Sequence, residues 1–267
     1  MIESLHNPRI KQVVRLRDAT TRRRLGRFLI DGWREIELAI QHGIEIDTLF
    51  VADTGDLPQL ESPLPERQLA SISQTVSAKV LERISYGQRV HAPVAVAVTP
   101  PFELQRVDWQ QPQILLVLDR TEKPGNLGAC LRTAAAAGVA AVILTDPVCE
   151  PCNPNTIRAS RGSVFTVPMA VTTRAEFQAY CAARQLPCFA ARVDTAGDLW
   201  QQNFSHGGAV VFGSEAHGLG TQWYDSRMQC FTIPMQGTPD SLNLSISTAI
   251  TLYEMVRQQR PPLDTRL

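Results

Sequence analysis

At 267 residues, with 44% apolar and 19% charged side chains, the chain has the composition of a soluble globular protein of one large or two smaller domains. No apolar run approaches the ~20 residues of a membrane-spanning helix, and the stretch from Met1 to Arg9 lacks the apolar core of a secretory signal. Net charge is zero, yet residues 1–27 hold eight Lys/Arg against Glu3 and Asp18, a local +6 balanced by −6 elsewhere.

Such a basic segment (Arg9, Lys11, Arg15, Arg17, Arg22, Arg23, Arg24, Arg27) suits a phosphate backbone, and it equally suits a solvated helix face. Six cysteines are scattered among mostly apolar neighbours, the usage expected of reduced thiols in the cytoplasm.

In chain order, residues 9–18 read as a basic helix and Phe28–Ile30 as a short strand. Trp33 to His42 reads as a helix, with Trp33, Ile36, Leu38, Ala39 and Ile40 as core candidates and Gly43 as its stop. Asp47–Val51 is a strand, and a turn-rich piece with Pro58, Pro63 and Pro65 follows. Ser73 is expected to cap a helix through Ile84, and Pro93–Val98 to form another strand. The result is a small α/β domain over residues 1–100. Pro100, Pro101 and Pro112, among polar residues, mark a linker at 101–113.

From residue 114 the rhythm restarts as a second domain running to 267. Ile114–Leu118 is an unbroken apolar run of the kind buried on both faces of a parallel sheet. A loop leads into a helix through Ala137, and Ala141–Leu144 is the next strand. Residues 175–185 read as a helix, followed by strands at Pro187–Ala191, Ala209–Phe212 and Cys230–Ile233. After Asn243 the pattern is helical, offering Leu244, Ala249, Leu252, Tyr253 and Val256 for a buried face. Repeated βα units with short connections imply a mostly parallel sheet.

Four clusters could carry chemistry. Asn126 and Arg132 lie at a strand-to-helix handover, where ligands bind in open α/β sheets. Read alone, Asn126 is a cap and Arg132 a surface residue. Arg158-Ala159-Ser160-Arg161-Gly162 reads as a compact anion-binding loop or as an ordinary surface turn. Cys149 and Cys152 have no second ligand pair at zinc spacing, so no metal site is expected. Glu215, Ser241 and Asn243 sit in glycine-rich and small-polar loops that follow two buried strands. The dinucleotide fingerprint G-x-G-x-x-G, a Walker loop and a nucleophile elbow are all missing, which removes support from an oxidoreductase reading.

Taken in order, Asn126-Leu127-Gly128-Ala129-Cys130-Leu131-Arg132, Phe212-Gly213-Ser214-Glu215-Ala216-His217-Gly218-Leu219 and Ile233-Pro234-Met235 through Ser241-Leu242-Asn243-Leu244-Ser245 resemble the three motifs of SpoU/TrmH-type RNA 2′-O-ribose methyltransferases of the SPOUT superfamily. The resemblance covers about residues 114–258. It implies a deep trefoil knot, an exception to the rule against threaded loops. It further implies a homodimer and an L30e/L7Ae-like N-terminal domain that binds RNA. S-adenosyl-L-methionine would lie against Gly213, Ile233 and Leu242. Asn126, Arg132, Glu215, Ser241 and Asn243 would form the catalytic centre, with Arg161 and the basic residues Arg9, Lys11, Arg22, Arg23 and Arg24 meeting RNA.

The implied reaction moves a methyl group from a sulfonium to a ribose 2′-oxygen of structured RNA. Ribosomal RNA is the expected substrate and transfer RNA the main rival. A guanidinium whose pKa exceeds ~12 hardly deprotonates, so Arg132 is read as a cation that stabilises developing alkoxide charge rather than as a base. Glu215 would brace loop N–H groups or pair with an arginine. A non-catalytic RNA-binding or assembly factor with the same fold is the alternative from another class.

Overall fold

The computed structural model describes residues 1–53, 64–86, 92–223, 228–238 and 240–260. Pro58 and Pro63 of the expected turn-rich piece lie outside the described residues.

The first elements are α1 (Pro8–Arg15), α2 (Ala19–Leu25), β1 (Arg27–Asp31), α3 (Trp33–Gln41), β2 (Ile46–Ala52), α4 (Glu66–Ile72), β3 (Ser73–Val76), α5 (Ala78–Ile84) and β4 (Val94–Val98). There follow β5 (Ile114–Asp119), α6 (Pro124–Ala137), β6 (Ala141–Thr145), α7 (Pro154–Ser160), α8 (Ser163–Thr166), β7 (Met169–Thr172) and α9 (Arg174–Arg184). Last come β8 (Cys188–Ala191), β9 (Gly208–Phe212), β10 (Met228–Phe231) and α10 (Leu244–Gln259).

Two compact units result. One comprises Met1–Pro101 with Glu150–Thr166, and the other Phe102–Cys149 with Val167–Leu267. Sequence reading had placed 150–166 inside the second domain, but this stretch packs with the first unit. Its α7 lies against β1 and its α8 against α3. Gly162, at φ +85°, sits so close to Leu38 that a side chain there would collide with it.

The first unit has a four-stranded sheet, ordered β1-β4-β2-β3, antiparallel except for the β2–β3 pair. Helices α1 and α5 cover one face through Ile10, Val13, Val80, Leu81 and Ile84. The expected basic helix over 9–18 stops at Arg15, because Asp18 caps a second helix by accepting a bond from Thr21 N at 2.7 Å. Ser73 is not a helix cap. It opens β3, and the cap of α5 is Ser77, whose hydroxyl accepts from Val80 N. On α3, Ile36, Ala39 and Ile40 are buried as expected; Trp33 and Leu38 are only partly so, and Glu35 is buried in their place.

The second unit is a six-stranded sheet, every pair parallel, in the order β10-β8-β9-β5-β6-β7. All six residues of β5 and all five of β6 and of β9 are buried, which explains why they read as continuous apolar runs. One face packs Phe177, Tyr180 and Trp223 against the sheet; Phe189, Phe204 and Phe231 form a separate edge-to-face aromatic cluster. Among the described residues, no helix is long and apolar enough to cross a membrane.

Candidate active site

Parallel strands end at a common edge, so the residues after β5, β8, β9 and β10 are delivered to one side of the sheet. There a cleft of about 660 Å³ is lined by the three loops that follow β8 (Arg192–Asp194), β9 (Gly213–Leu219) and β10 (Thr232, Ile233, Met235), together with residues 240–244. The volume falls in the ~300–1,000 Å³ range of small-molecule sites.

Backbone fit dictates the loop after β9. Ser214 and Gly218 exchange two backbone bonds, at 3.2 and 2.9 Å, and fold the chain back on itself. A Cβ at Gly213 would collide with the backbone of Gly218 and Leu219, which cannot move aside as a flexible side chain would. Glycine is therefore required there by close approach.

Helices α6 and α10 carry the polar groups. Asn243 Nδ2 donates to Asn126 Oδ1 at 3.2 Å, and one turn farther Cys130 Sγ meets Thr248 Oγ1 at 3.5 Å. Both numbers increase together, so the helices run parallel with their amino termini side by side at the cleft. Asn126 is not the cap of α6; it lies in the first turn, and its Nδ2 donates to Glu215 Oε1 at 3.0 Å. Asn243 is the cap of α10, accepting from Ser245 N at 2.9 Å.

Glu215 ties the loop to α6. Its carboxylate accepts from Asn126 and, at 3.3 and 3.4 Å, from the backbone N–H groups of Glu122 and Lys123. Burial pushes its carboxyl up, but bonds from Asn126 and from the backbone N–H groups of residues 215, 122 and 123 outweigh burial and hold it below the usual glutamate range. Burial also pushes the Cys130 thiol up to about 12, helped by the Glu215 charge and opposed by Thr248, so this cysteine is an inert thiol.

Asn126, Glu215 and Asn243 thus form one hydrogen-bonded chain, with Ser241 and the expected cofactor residues Gly213, Ile233 and Leu242 lining the same cleft. Arg132 does not join them. It lies on the exposed side of α6, and no bond or ion pair among the described residues holds its guanidinium. Sequence reasoning missed Lys123, Arg192 and Asp194, which line the cleft without belonging to a recognisable motif. Arg192 grips Asp194 through two contacts, at 2.8 and 2.6 Å. Their position immediately after a parallel strand was the available signal.

The basic residues divide. Arg9, Lys11, Arg23 and Arg24 are exposed, as expected of a nucleic-acid surface. Arg22 corrects that expectation. It is 4% exposed, pairs with Glu150 at 2.8 Å, and donates to the carbonyls of Leu16 and Arg17. Its place is structural. Arg23 also contacts Glu150. Arg161 is exposed in a left-handed turn (φ +52°) that ends α7, whereas Arg158 is held by the Tyr86 carbonyl at 3.0 Å.

Residues 113–253 match the family model described as the SpoU rRNA methylase family, and residues 7–95 match an MRM3-like substrate binding domain. The chain belongs to the SpoU rRNA methylase family. The 23S rRNA (guanosine-2'-O-)-methyltransferase RlmB of Bordetella pertussis is 35% identical over 240 residues, covering 87% of this chain and 98% of that protein. A crystal structure of an RNA 2'-O ribose methyltransferase aligns with TM-score 0.81 at 35% identity over 97% of this chain and 98% of that one. An AdoMet-bound rRNA methyltransferase from Sinorhizobium meliloti aligns at 0.87 with 28% identity, again over 97% and 98%. These likenesses bear out the SpoU/TrmH resemblance and the α/β architecture with its parallel sheet.

Proposed function

We propose that this protein transfers a methyl group from S-adenosylmethionine to a ribose 2′-hydroxyl of ribosomal RNA. The observation that carries the reading is the Glu215–Asn126–Asn243 hydrogen-bonded chain at the cleft formed by the loops after β8, β9 and β10. Similarity to proteins named for 23S rRNA, one homologous structure being AdoMet-bound, supports ribosomal over transfer RNA.

The cleft suits a nucleoside sulfonium. Leu219, Ile233 and Leu242 provide apolar walls, Gly213 lets the loop after β9 fold tightly on itself, and Glu215 places a carboxylate in the lining. Gly213, Ile233 and Leu242 would hold the cofactor, which supplies an electrophilic methyl carbon when bound. Asn126 and Asn243 would orient the ribose, and Ser241 would fix its hydroxyl. Arg132 would meet the RNA phosphate and stabilise negative charge as the 2′-oxygen loses its proton. An exposed guanidinium with no partner among the described residues is free to do so.

The reading includes a homodimer. On α10, Ile246 and Tyr253 are 51% and 50% exposed and seven residues apart, hence on one helical face. Tyr253 had been expected in the core, but Thr248, Thr251, Glu254 and Met255 fill that side. The reading also includes a threaded C-terminal segment. In support, β10 pairs beyond β8, its continuation at Thr232 bonds to Gly197 and Leu199 in the β8–β9 connection, and α10 returns to α6. The first unit would bind RNA and the second would carry out transfer in the cytoplasm.

The test is incubation with methyl-labelled S-adenosylmethionine and either ribosomal or transfer RNA from cells lacking the protein. Label should enter ribosomal RNA alone and depend on Arg132. Cofactor binding without transfer to any RNA would favour the assembly-factor reading.

A further inference from the structure

Within the first unit a second cavity, of about 540 Å³, is lined by Arg17, Lys79, Glu82, Arg83, Tyr86 and Arg158, together with Leu5 and Ser85. Four cations face one carboxylate there. Local structure explains the arrangement. Helix α5 buries Val80, Leu81 and Ile84 against the sheet, which leaves Lys79, Glu82 and Arg83 on its outward side.

The aromatic ring is held before any ligand arrives. Arg17 lies 5.7 Å from the Tyr86 ring centroid, Asn155 Nδ2 donates to the Tyr86 hydroxyl at 3.0 Å, and Arg158 Nη1 donates to the Tyr86 carbonyl at 3.0 Å. Arg17 Nη2 also donates to the carbonyls of Arg83 and Ser85. Its Nε, by contrast, is buried with no hydrogen-bond partner among the described residues. A buried guanidinium N–H without an acceptor is costly, whereas Lys79 and Arg83, both exposed, are the cations that a phosphate in the cavity can reach.

From this we infer a nucleotide subsite: Tyr86 and Arg17 stack an unpaired RNA base while Lys79, Arg83 and Arg158 take the adjoining phosphates. A fixed aromatic face beside several cations is the combination that captures single-stranded nucleic acid, since stacking needs an unpaired base and the cations need a backbone. Arg22, committed to Glu150, contributes nothing to it. This subsite rests on the RNA-methylation reading but makes a separate claim, that the substrate-binding unit grips an unpaired nucleotide away from the methyl-transfer cleft.

The experiment measures binding of a short fluorescein-labelled oligouridine to the full-length protein by anisotropy, across a salt series. Lys79→Gln with Arg83→Gln, both exposed and distant from the core, should weaken binding about tenfold and reduce the logarithmic salt slope by roughly 1.4, two phosphate contacts at ~0.7 each for a single strand. Tyr86→Leu should weaken it by about 5- to 150-fold, the range of one lost base stack, while Tyr86→Phe should stay within about twofold of wild type. S-adenosylmethionine affinity, read by calorimetry, should be unchanged in every variant, and an unchanged circular-dichroism spectrum and thermal unfolding profile check that the first unit is folded. Oligouridine binding unmoved by both Tyr86→Leu and the lysine–arginine pair would overturn the subsite while leaving methyl transfer standing. Equal displacement of the probe by polyglutamate would overturn it in favour of an acidic protein partner. A wild-type protein that binds cofactor but neither retains oligouridine nor methylates RNA would remove both readings.

Discussion

Replacing Glu215 by alanine isolates what holds the candidate site together. Three bonds disappear, from Asn126 Nδ2 at 3.0 Å and from the N–H groups of Glu122 and Lys123 at 3.3 and 3.4 Å. A well-formed bond to a charged group contributes about 1.5–3 kcal/mol. The two longer bonds are weaker, and water replaces part of the loss around a half-buried carboxylate, so about 2 kcal/mol is the expected total. At ~1.4 kcal/mol per tenfold, that is roughly 30-fold in any equilibrium that needs the ordered cluster. The assay is calorimetric S-adenosylmethionine affinity together with single-turnover methyl transfer. Glu215→Gln should lose most of the same amount, because its amide would face three donors. The sign with pH follows from a carboxyl held below its unfolded value. Its contribution is complete above the ordinary glutamate pKa of about 4.3 and is lost as pH falls through the lower folded value. The gap between wild type and Glu215→Gln in thermal stability should therefore persist at neutral pH and close only in acid. Both variants within about twofold of wild type in affinity and rate would refute the reasoning.

Arg132→Ala should leave cofactor affinity unchanged and slow single-turnover transfer by about 10²–10³-fold, the usual loss of one charge-stabilising donor. Gly213→Ala should abolish cofactor binding, tested by calorimetry, because the added methyl meets immovable backbone at residues 218 and 219. In thermal unfolding, Arg22→Ala should cost about 2 kcal/mol, because the carbonyls of Leu16 and Arg17 lose their donor and Glu150 keeps only Arg23 of its two arginines, while Arg24→Ala should leave stability unaltered. Cys130 should resist alkylation by iodoacetamide at pH 8 in the folded protein, with mass spectrometry as the readout, since it is buried and burial pushes its thiol up to about 12.

The parallel sheet was legible because β5, β6 and β9 are buried on both faces and therefore carry unbroken apolar runs. The convergence of Asn126, Glu215 and Asn243 could be expected only through motif resemblance. No periodicity reveals that residues 89 and 117 positions apart share hydrogen bonds. Arg22 was misjudged because its partner Glu150 is 128 positions away, and an arginine beside two others reads as surface until that carboxylate is found. The same long-range packing hid the attachment of residues 150–166 to the first unit. Tyr253 is exposed, against expectation, and Thr251 is buried, because α10 meets α6, a helix of small residues, through short polar side chains rather than large apolar ones.

The most direct test is where the methyl group lands. A 2′-O-methyl ribose cannot attack its neighbouring phosphodiester, so the modified linkage resists alkaline hydrolysis whichever base it carries. Ribosomal RNA treated with this protein and S-adenosylmethionine should show a new alkali-resistant dinucleotide that is missing with Arg132→Ala. Label recovered on a base after complete digestion to nucleosides, or no label transferred by a protein that binds the cofactor, would contradict the account.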